Sequence, residues 1–266
     1  MPGSGPKTIA FLGATGGCGF SALRRAIEAG HNCIALCRSP AKLEAKLDEF
    51  FPERPTNLVI REGNAHHVAA VASCLLVPPP PPSPSISSSQ RQSEKRLVDA
   101  VHFSVGGTVS FPSFSMDDPD VCKKAAKALL DALDTLRNDD GATGRPLLVV
   151  ISTTGISTLG RDVPIPLVPF YHYALRVPHE DKRVVEKTLF ACQERFVLVR
   201  PSLLNDSSRT DRPVRVHVEG PATGIERCEI GYFISRNEVG RWTFDNLLEK
   251  ADEQIEYEGK AVGLTW

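Results

Sequence analysis

The chain has 266 residues, a formal net charge of −1 and 41% hydrophobic residues. That is enough apolar material for a large α/β core, and the charge is too evenly balanced for the basic field of a nucleic-acid binder. No apolar run reaches the length of a membrane span, and residues 1–6 lack the charged start and apolar centre of a secretory signal, so a cytoplasmic protein with no membrane or nucleic-acid partner is expected. The seven cysteines form no C-x-x-C pair and keep no regular spacing with histidine, which argues against a disulfide framework and a zinc site.

Residues 9–12 read as a short buried strand, Gly13, Gly16 and Gly19 as a G-x-x-G-x-x-G turn, and Phe20, Leu23 and Ile27 as one face of a helix that ends at Gly30. Strand, glycine turn and helix form the arrangement in which backbone N–H groups meet a pyrophosphate. Gly13, Thr15, Gly16, Gly17, Cys18 and Gly19 are therefore candidate cofactor contacts. Cys18 stands near a helix N-terminus, where a thiol pKa can fall, but the backbone there already has a role and no chemistry is expected of the thiol. Residues 32–37 read as a second strand, Ser39-Pro40 as a helix start, residues 58–60 as a third strand and residues 67–76 as a helix. The second strand ends Leu36-Cys37-Arg38-Ser39. It offers no carboxylate to a ribose 2′-OH, and Arg38 stands where a 2′-phosphate would be, with Ser39 and Lys42 in support; this favours NADP(H) over NAD.

The proline- and serine-rich residues 78–95 read as a disordered surface insertion, because residues 97–105 resume the strand pattern and lead into Gly106-Gly107. Asp117-Asp118 is expected to cap a long helix with Val121, Ala125, Leu129, Ala132 and Leu136 on one face. Residues 146–151 form a nearly continuous apolar run, expected of a central parallel strand, with Ser152-Thr153-Thr154-Gly155 at its carboxyl end. The Pro- and aromatic-rich residues 156–178, and residues 201–235, are expected to form substrate lids. Between them lie a helix at 179–192, with Val184, Val185, Leu189 and Phe190 inward, and a strand at 196–200; a helix at 235–248 and a strand at 261–266 follow. The expected fold is α/β: one domain over residues 1–266, a Rossmann-like doubly wound parallel sheet with a small C-terminal substrate-binding region.

Taken together, Gly13-x-x-Gly16-x-x-Gly19, Arg38, Gly106-Gly107, Ser152-Thr153-Thr154-Gly155, His179-Glu180-Asp181-Lys182 and Ile234-Ser235-Arg236-Asn237-Glu238-Val239 resemble an atypical short-chain dehydrogenase/reductase, and within it the fungal NmrA-like proteins. The resemblance implies that the glycine turn lines the pyrophosphate, Arg38 the 2′-phosphate and Asn64 the adenine edge. Gly106 and Gly107 would admit the cofactor ribose, Ser152 and Thr153 would lie near the nicotinamide and the substrate carbonyl, and Lys182 would bond the nicotinamide ribose and lower the pKa of a proton donor.

The chain departs from the family's Tyr-x-x-x-Lys, since Pro178 stands four residues before Lys182. His179, one turn before Lys182, has an imidazole suited to proton transfer near neutrality, and Tyr171 or Tyr173 could reach in from the lid. The candidate catalytic residues are thus Lys182, His179, Thr153 and Tyr173. His66 and His67 point in different directions on a helix and are not expected to bind metal. Arg209, Arg212 and Arg215 could meet an anionic substrate, although a solvated loop is the simpler reading. The expected function is NADPH-dependent reduction of a small apolar or aromatic carbonyl or enone. The alternatives are a non-catalytic NADP(H)-sensing regulator with a protein partner, and a non-redox isomerase or cyclase on the same fold.

Overall fold

A computed structural model describes residues 5–79, 95–107, 109–110, 115–207 and 212–266. In chain order its elements are β1 (Thr8–Leu12), α1 (Gly17–Glu28), β2 (Asn32–Cys37), α2 (Pro40–Asp48), β3 (Leu58–Glu62), α3 (Val68–Cys74), β4 (Ala100–Phe103), β5 (Val109–Ser110), β6 (Ser115–Met116), α4 (Val121–Asn138) and β7 (Leu147–Ile151). They continue with α5 (Val168–Tyr173), α6 (Arg176–Ala191), β8 (Arg195–Pro201), β9 (Leu203–Asn205), β10 (Arg215–Gly220), β11 (Gly224–Arg227), β12 (Phe233–Ser235), α7 (Arg236–Thr243) and β13 (Ala261–Thr265).

One nine-stranded sheet is ordered β11-β10-β13-β8-β7-β4-β1-β2-β3. It is parallel from β13 to β3, and β10 and β11 add to the β13 edge antiparallel. Side chains on β1 alternate between two cores, as the period of a strand demands. Ile9 and Phe11 pack with α1, α2 and α7, while Ala10 and Leu12 pack with α3, α4 and α6. Strands buried on both faces read as continuous apolar runs, which is why 147–151 is LLVVI. Strand order reverses between β1 and β4, and open α/β sheets place ligands at the carboxyl ends beside such a switch point.

The doubly wound fold expected from the sequence is therefore present, with local corrections. Residues 201–235, expected as a lid, begin with the last residue of β8 and contain β9 to β12, and β10 and β11 extend the main sheet. Val184, expected inward, is exposed, whereas Val185 and Leu189 are buried. The α4 cap comes from elsewhere than expected: the buried Asp181 carboxylate on α6 accepts the Cys122 and Lys123 N–H groups at 2.8 and 2.9 Å. Asp118 instead accepts the Asp120 N–H at 3.0 Å, two residues too early to cap the helix. The helix expected over 235–248 ends as α-helix at Thr243 and continues as a π-turn over Phe244–Leu248.

The bulk of the proline/serine insertion lies outside the described residues, but its two ends are pinned together. The Val77 N–H donates to Arg96 O, and the Val98 N–H to Leu75 O, each at 2.9 Å. No helix among the described residues is long and apolar enough to cross a membrane.

Candidate functional site

The glycine turn leaves β1 at Gly13, whose φ of 95° suits a residue without Cβ. A Cβ there would lie 2.6 Å from the Ser104 carbonyl oxygen at the end of β4, so strand, turn and neighbouring strand close on one another only through glycine. One at Gly19 would meet Gly13 O at the same distance. A Cβ at Gly16 would make only ordinary contact with Gly13 O, at 3.5 Å. Gly16 lines a groove of about 270 Å³, and since its own N–H donates to Gly13 O at 3.1 Å, the N–H groups left for an anion are those of the first turn of α1. Gly13, Thr15, Gly16, Arg38, Asn64 and Gly106 all line this groove, and no Asp or Glu is among its described lining residues. Arg38 is exposed at its edge. Asn64 Oδ1 accepts the His66 N–H at 3.0 Å, which folds the β3 exit loop back along the groove. Gly107 packs against Met116 and lies outside the lining.

Lys182 Nζ donates to Val105 O at 3.2 Å and to Ile151 O at 2.7 Å. These carbonyls lie just past β4 and at the end of β7, so the ammonium sits at the carboxyl edge of the sheet. An ammonium has three N–H donors, and these two carbonyls take two of them. Cys18 faces the same region. Burial pushes the thiol up to about 12, and the nearby Arg236 and Lys182 charges only partly oppose this. The thiol is therefore protonated and inert at neutral pH.

Beyond Lys182 the site is built from buried polar side chains. Ser152 Oγ donates to Glu186 Oε1 at 2.5 Å, which commits its hydroxyl to the interior. Arg200 bonds the same carboxylate through Nε at 2.9 Å and Nη2 at 2.6 Å and pairs with Glu219 through Nη1. Glu219 also receives the Ser157 hydroxyl at 2.7 Å and the His217 ring at 3.3 Å. Burial acts to raise the Glu219 pKa, but the His217, Arg200 and Ser157 donors outweigh it and hold the carboxyl at about 2.

Thr154 Oγ1 donates to Pro201 O at 3.3 Å and lies 3.3 Å from the Tyr171 hydroxyl. With the Thr154 proton directed to Pro201, the Tyr171 O–H is the donor of that pair. Tyr171 is buried, and its ring packs on His179 with centroids 5.6 Å apart. His179 is buried as well, its Nε2 has no hydrogen-bond partner among the described residues, and burial lowers its pKa to about 4. The near-neutral titration expected of His179 is thereby corrected: the ring is neutral at physiological pH. Thr153 is half-buried and donates to Thr154 O at 3.1 Å. Tyr173 is 80% exposed, with its ring against His172. Of the two lid tyrosines, the structure brings Tyr171 to the strand end and leaves Tyr173 in solvent.

Three contributors escaped the sequence reading. Lys46 Nζ, from the last turn of α2, donates to Thr15 O at 2.8 Å and steadies the turn from outside. Ser104 Oγ donates to Gly13 O at 3.2 Å. The buried Arg200 stands on β8 with no local motif to mark it. Of the arginines weighed for an anionic substrate, Arg209 lies outside the described residues, Arg212 lies over the Trp266 ring at 5.7 Å, and Arg215 pairs with Glu229 at 3.0 Å. Among the described residues no cluster of His, Cys, Asp and Glu could hold a metal ion.

No family model matches the sequence. Among curated proteins, the reductase pytE of Aspergillus terreus is 38% identical, with 99% of each chain covered. The oxidase pynE of Aspergillus niger is 35% identical over 91% of this chain and 92% of its own. Among solved structures, a short-chain dehydrogenase/reductase from Veillonella parvula in complex with NADP matches with a TM-score of 0.65 at 13% identity, covering 98% of this chain and 94% of that one. ChuY, an anaerobillin reductase from Escherichia coli O157:H7, matches with a TM-score of 0.59 at 15% identity over 97% of this chain and 96% of its own. At such identities the structural likeness speaks for the fold.

Proposed function

The chain belongs to the atypical short-chain dehydrogenase/reductase family, and from that premise we propose that it is an NADP(H)-dependent oxidoreductase acting on a small apolar or aromatic carbonyl or enone. The observation that carries this reading is the groove from Gly13 to Asn64, which is walled by backbone, edged by Arg38 and free of carboxylates among its described lining residues. A guanidinium there suits a 2′-phosphate, and the missing carboxylate removes the usual partner of a free 2′-hydroxyl.

The residues present fit the dinucleotide. Thr15, Gly16 and the first turn of α1 would hold the pyrophosphate, Arg38 the 2′-phosphate, Gly106 a ribose face, and the remaining Lys182 N–H the nicotinamide ribose. When bound, NADPH supplies a hydride. The chain's own part is to position and to exclude. Thr153, the half-buried hydroxyl of the strand end, is suited to hold the acceptor oxygen. Tyr171 and His179 close the interior behind it, and neither serves as an acid near neutrality: burial raises the Tyr171 pKa and lowers that of His179. A product that takes its proton from water beside Thr153 therefore suits the site, as the enolate of a reduced enone does. The exposed apolar Leu159, Ile165 and Val168 of the 156–178 segment support an apolar substrate.

The test is NADPH oxidation against a panel of enones and carbonyls. Substrate-dependent turnover that falls in Thr153→Ala is the expected result. A second reading, a non-catalytic NADP(H)-binding regulator, is favoured by one observation: Pro178 occupies the first turn of α6 where the family's tyrosine would stand, and Tyr173 is turned to solvent. Tight NADPH binding without turnover on any acceptor would favour it.

A further inference from the structure

The G-x-x-G-x-x-G spacing accounts for Gly13, Gly16 and Gly19 and leaves Gly17 without a reason. Arg236 supplies one. Its aliphatic stem crosses the backbone of Gly17, and a Cβ there would lie 2.5 Å from Arg236 Cδ and 2.9 Å from Arg236 Cβ. The crossing is held from three sides. The Ser235 hydroxyl accepts the Glu238 N–H at 3.1 Å and caps α7, the Ser21 hydroxyl of α1 donates to Asn237 O at 2.8 Å, and Gly240 allows α7 to close on Ser21 and the Cys18 carbonyl.

The charged end of Arg236 is less committed than its stem. Nη1 pairs with Asp206 Oδ1 at 2.9 Å, and that carboxylate is 83% exposed. Such surface pairs contribute little and exchange readily. Arg236 and Lys182 are the cations that act on the Cys18 thiol, so both flank the first turn of α1. Along the glycine turn the lining of the groove stops at Gly16 and includes neither Gly17 nor Arg236.

We propose that Arg236 is a dinucleotide-binding residue: its guanidinium exchanges Asp206 for the nicotinamide-side phosphate, and Gly17 is glycine to give its stem passage. The inference rests on the nucleotide reading above. A planar guanidinium suits a phosphate because it donates two parallel hydrogen bonds while keeping its charge at any pH reached in the cell. Asp206 then acts as a competitor that the phosphate must displace.

The experiment is calorimetric titration of the full chain with NADP⁺ and with 2′,5′-ADP, which carries the 2′-phosphate but lacks the nicotinamide-side phosphate. Arg236→Met keeps a stem over Gly17 and removes the charge; it is expected to weaken NADP⁺ about tenfold and to leave 2′,5′-ADP within about twofold of wild type. Asp206→Asn, an exposed change that leaves folding intact, is expected to tighten NADP⁺ about twofold to threefold. Arg236→Met binding NADP⁺ as wild type does, an equal loss for 2′,5′-ADP, or no tightening in Asp206→Asn would each overturn the proposal while the nucleotide reading stands. Wild-type protein that binds neither probe would overturn both.

Discussion

The half of the cleft from Gly13 to Asn64 is made largely of backbone, whereas the half from Ser152 to His179 is made of buried side chains that hold one another. A backbone cradle tolerates little change at its glycines and asks little of its other residues. A side-chain interior is the reverse: each polar group is anchored by a partner far away in sequence, so one truncation strands several others. The first half specifies a ligand of fixed shape. The second leaves the substrate to be selected by the segments laid over it.

The sharpest way to break the side-chain half is Arg200→Leu. It would leave Glu186 and Glu219 buried without their cation and is expected to cost about 3–5 kcal/mol in chemical denaturation. Acid probes two buried histidines next, His179 of this interior and His102, which lies on β4 against the Phe11 ring. His102 and His179 are both held at about 4 by burial, below the ordinary 6.5. The unfolded chain thus binds more protons between those values, and the stability conferred by the neutral rings is full above pH 6.5 and lost as pH falls toward 4. The expected loss is on the order of 2–3 kcal/mol per histidine. Urea unfolding at pH 7 and pH 4.5 checks it, and His102→Leu should remove part of the slope.

On the cradle side, Arg38→Ala should weaken NADPH by about tenfold to a hundredfold and leave NADH nearly unchanged, as equilibrium titration would read. The smallest effect belongs to Tyr173→Phe, which should leave kcat/KM within about twofold of wild type, because the side chain is exposed and Tyr171, not Tyr173, meets Thr154 at the strand end. A large loss in that variant would mean that the lid rearranges on substrate binding.

The same division explains what the sequence made legible. The cradle is local: Gly13 to Gly19, Arg38 and Asn64 follow strands whose apolar runs announce them, and the parallel order follows from alternating strands and helices. The interior is non-local. Nothing near Arg200 signals that Glu186, Glu219 and His217 will gather around it, and nothing near Asp181 signals that it caps a helix that starts sixty residues earlier in the chain. Burial is also what moved His179 away from neutrality and Cys18 away from reactivity, and spacing alone does not report it. Strands β10 and β11 were hidden for another reason. VRVHVEG alternates polar and apolar residues as a strand should, but it follows a proline- and arginine-rich stretch that reads as loop.

We propose that the cleft takes NADP(H) on a backbone cradle and recognises it through Arg38. Isothermal titration of the wild-type protein with NADPH and with NADH tests it most directly. NADPH is expected to bind at least about tenfold tighter than NADH, with the preference abolished in Arg38→Ala. Equal affinities, or no binding of either, would contradict it.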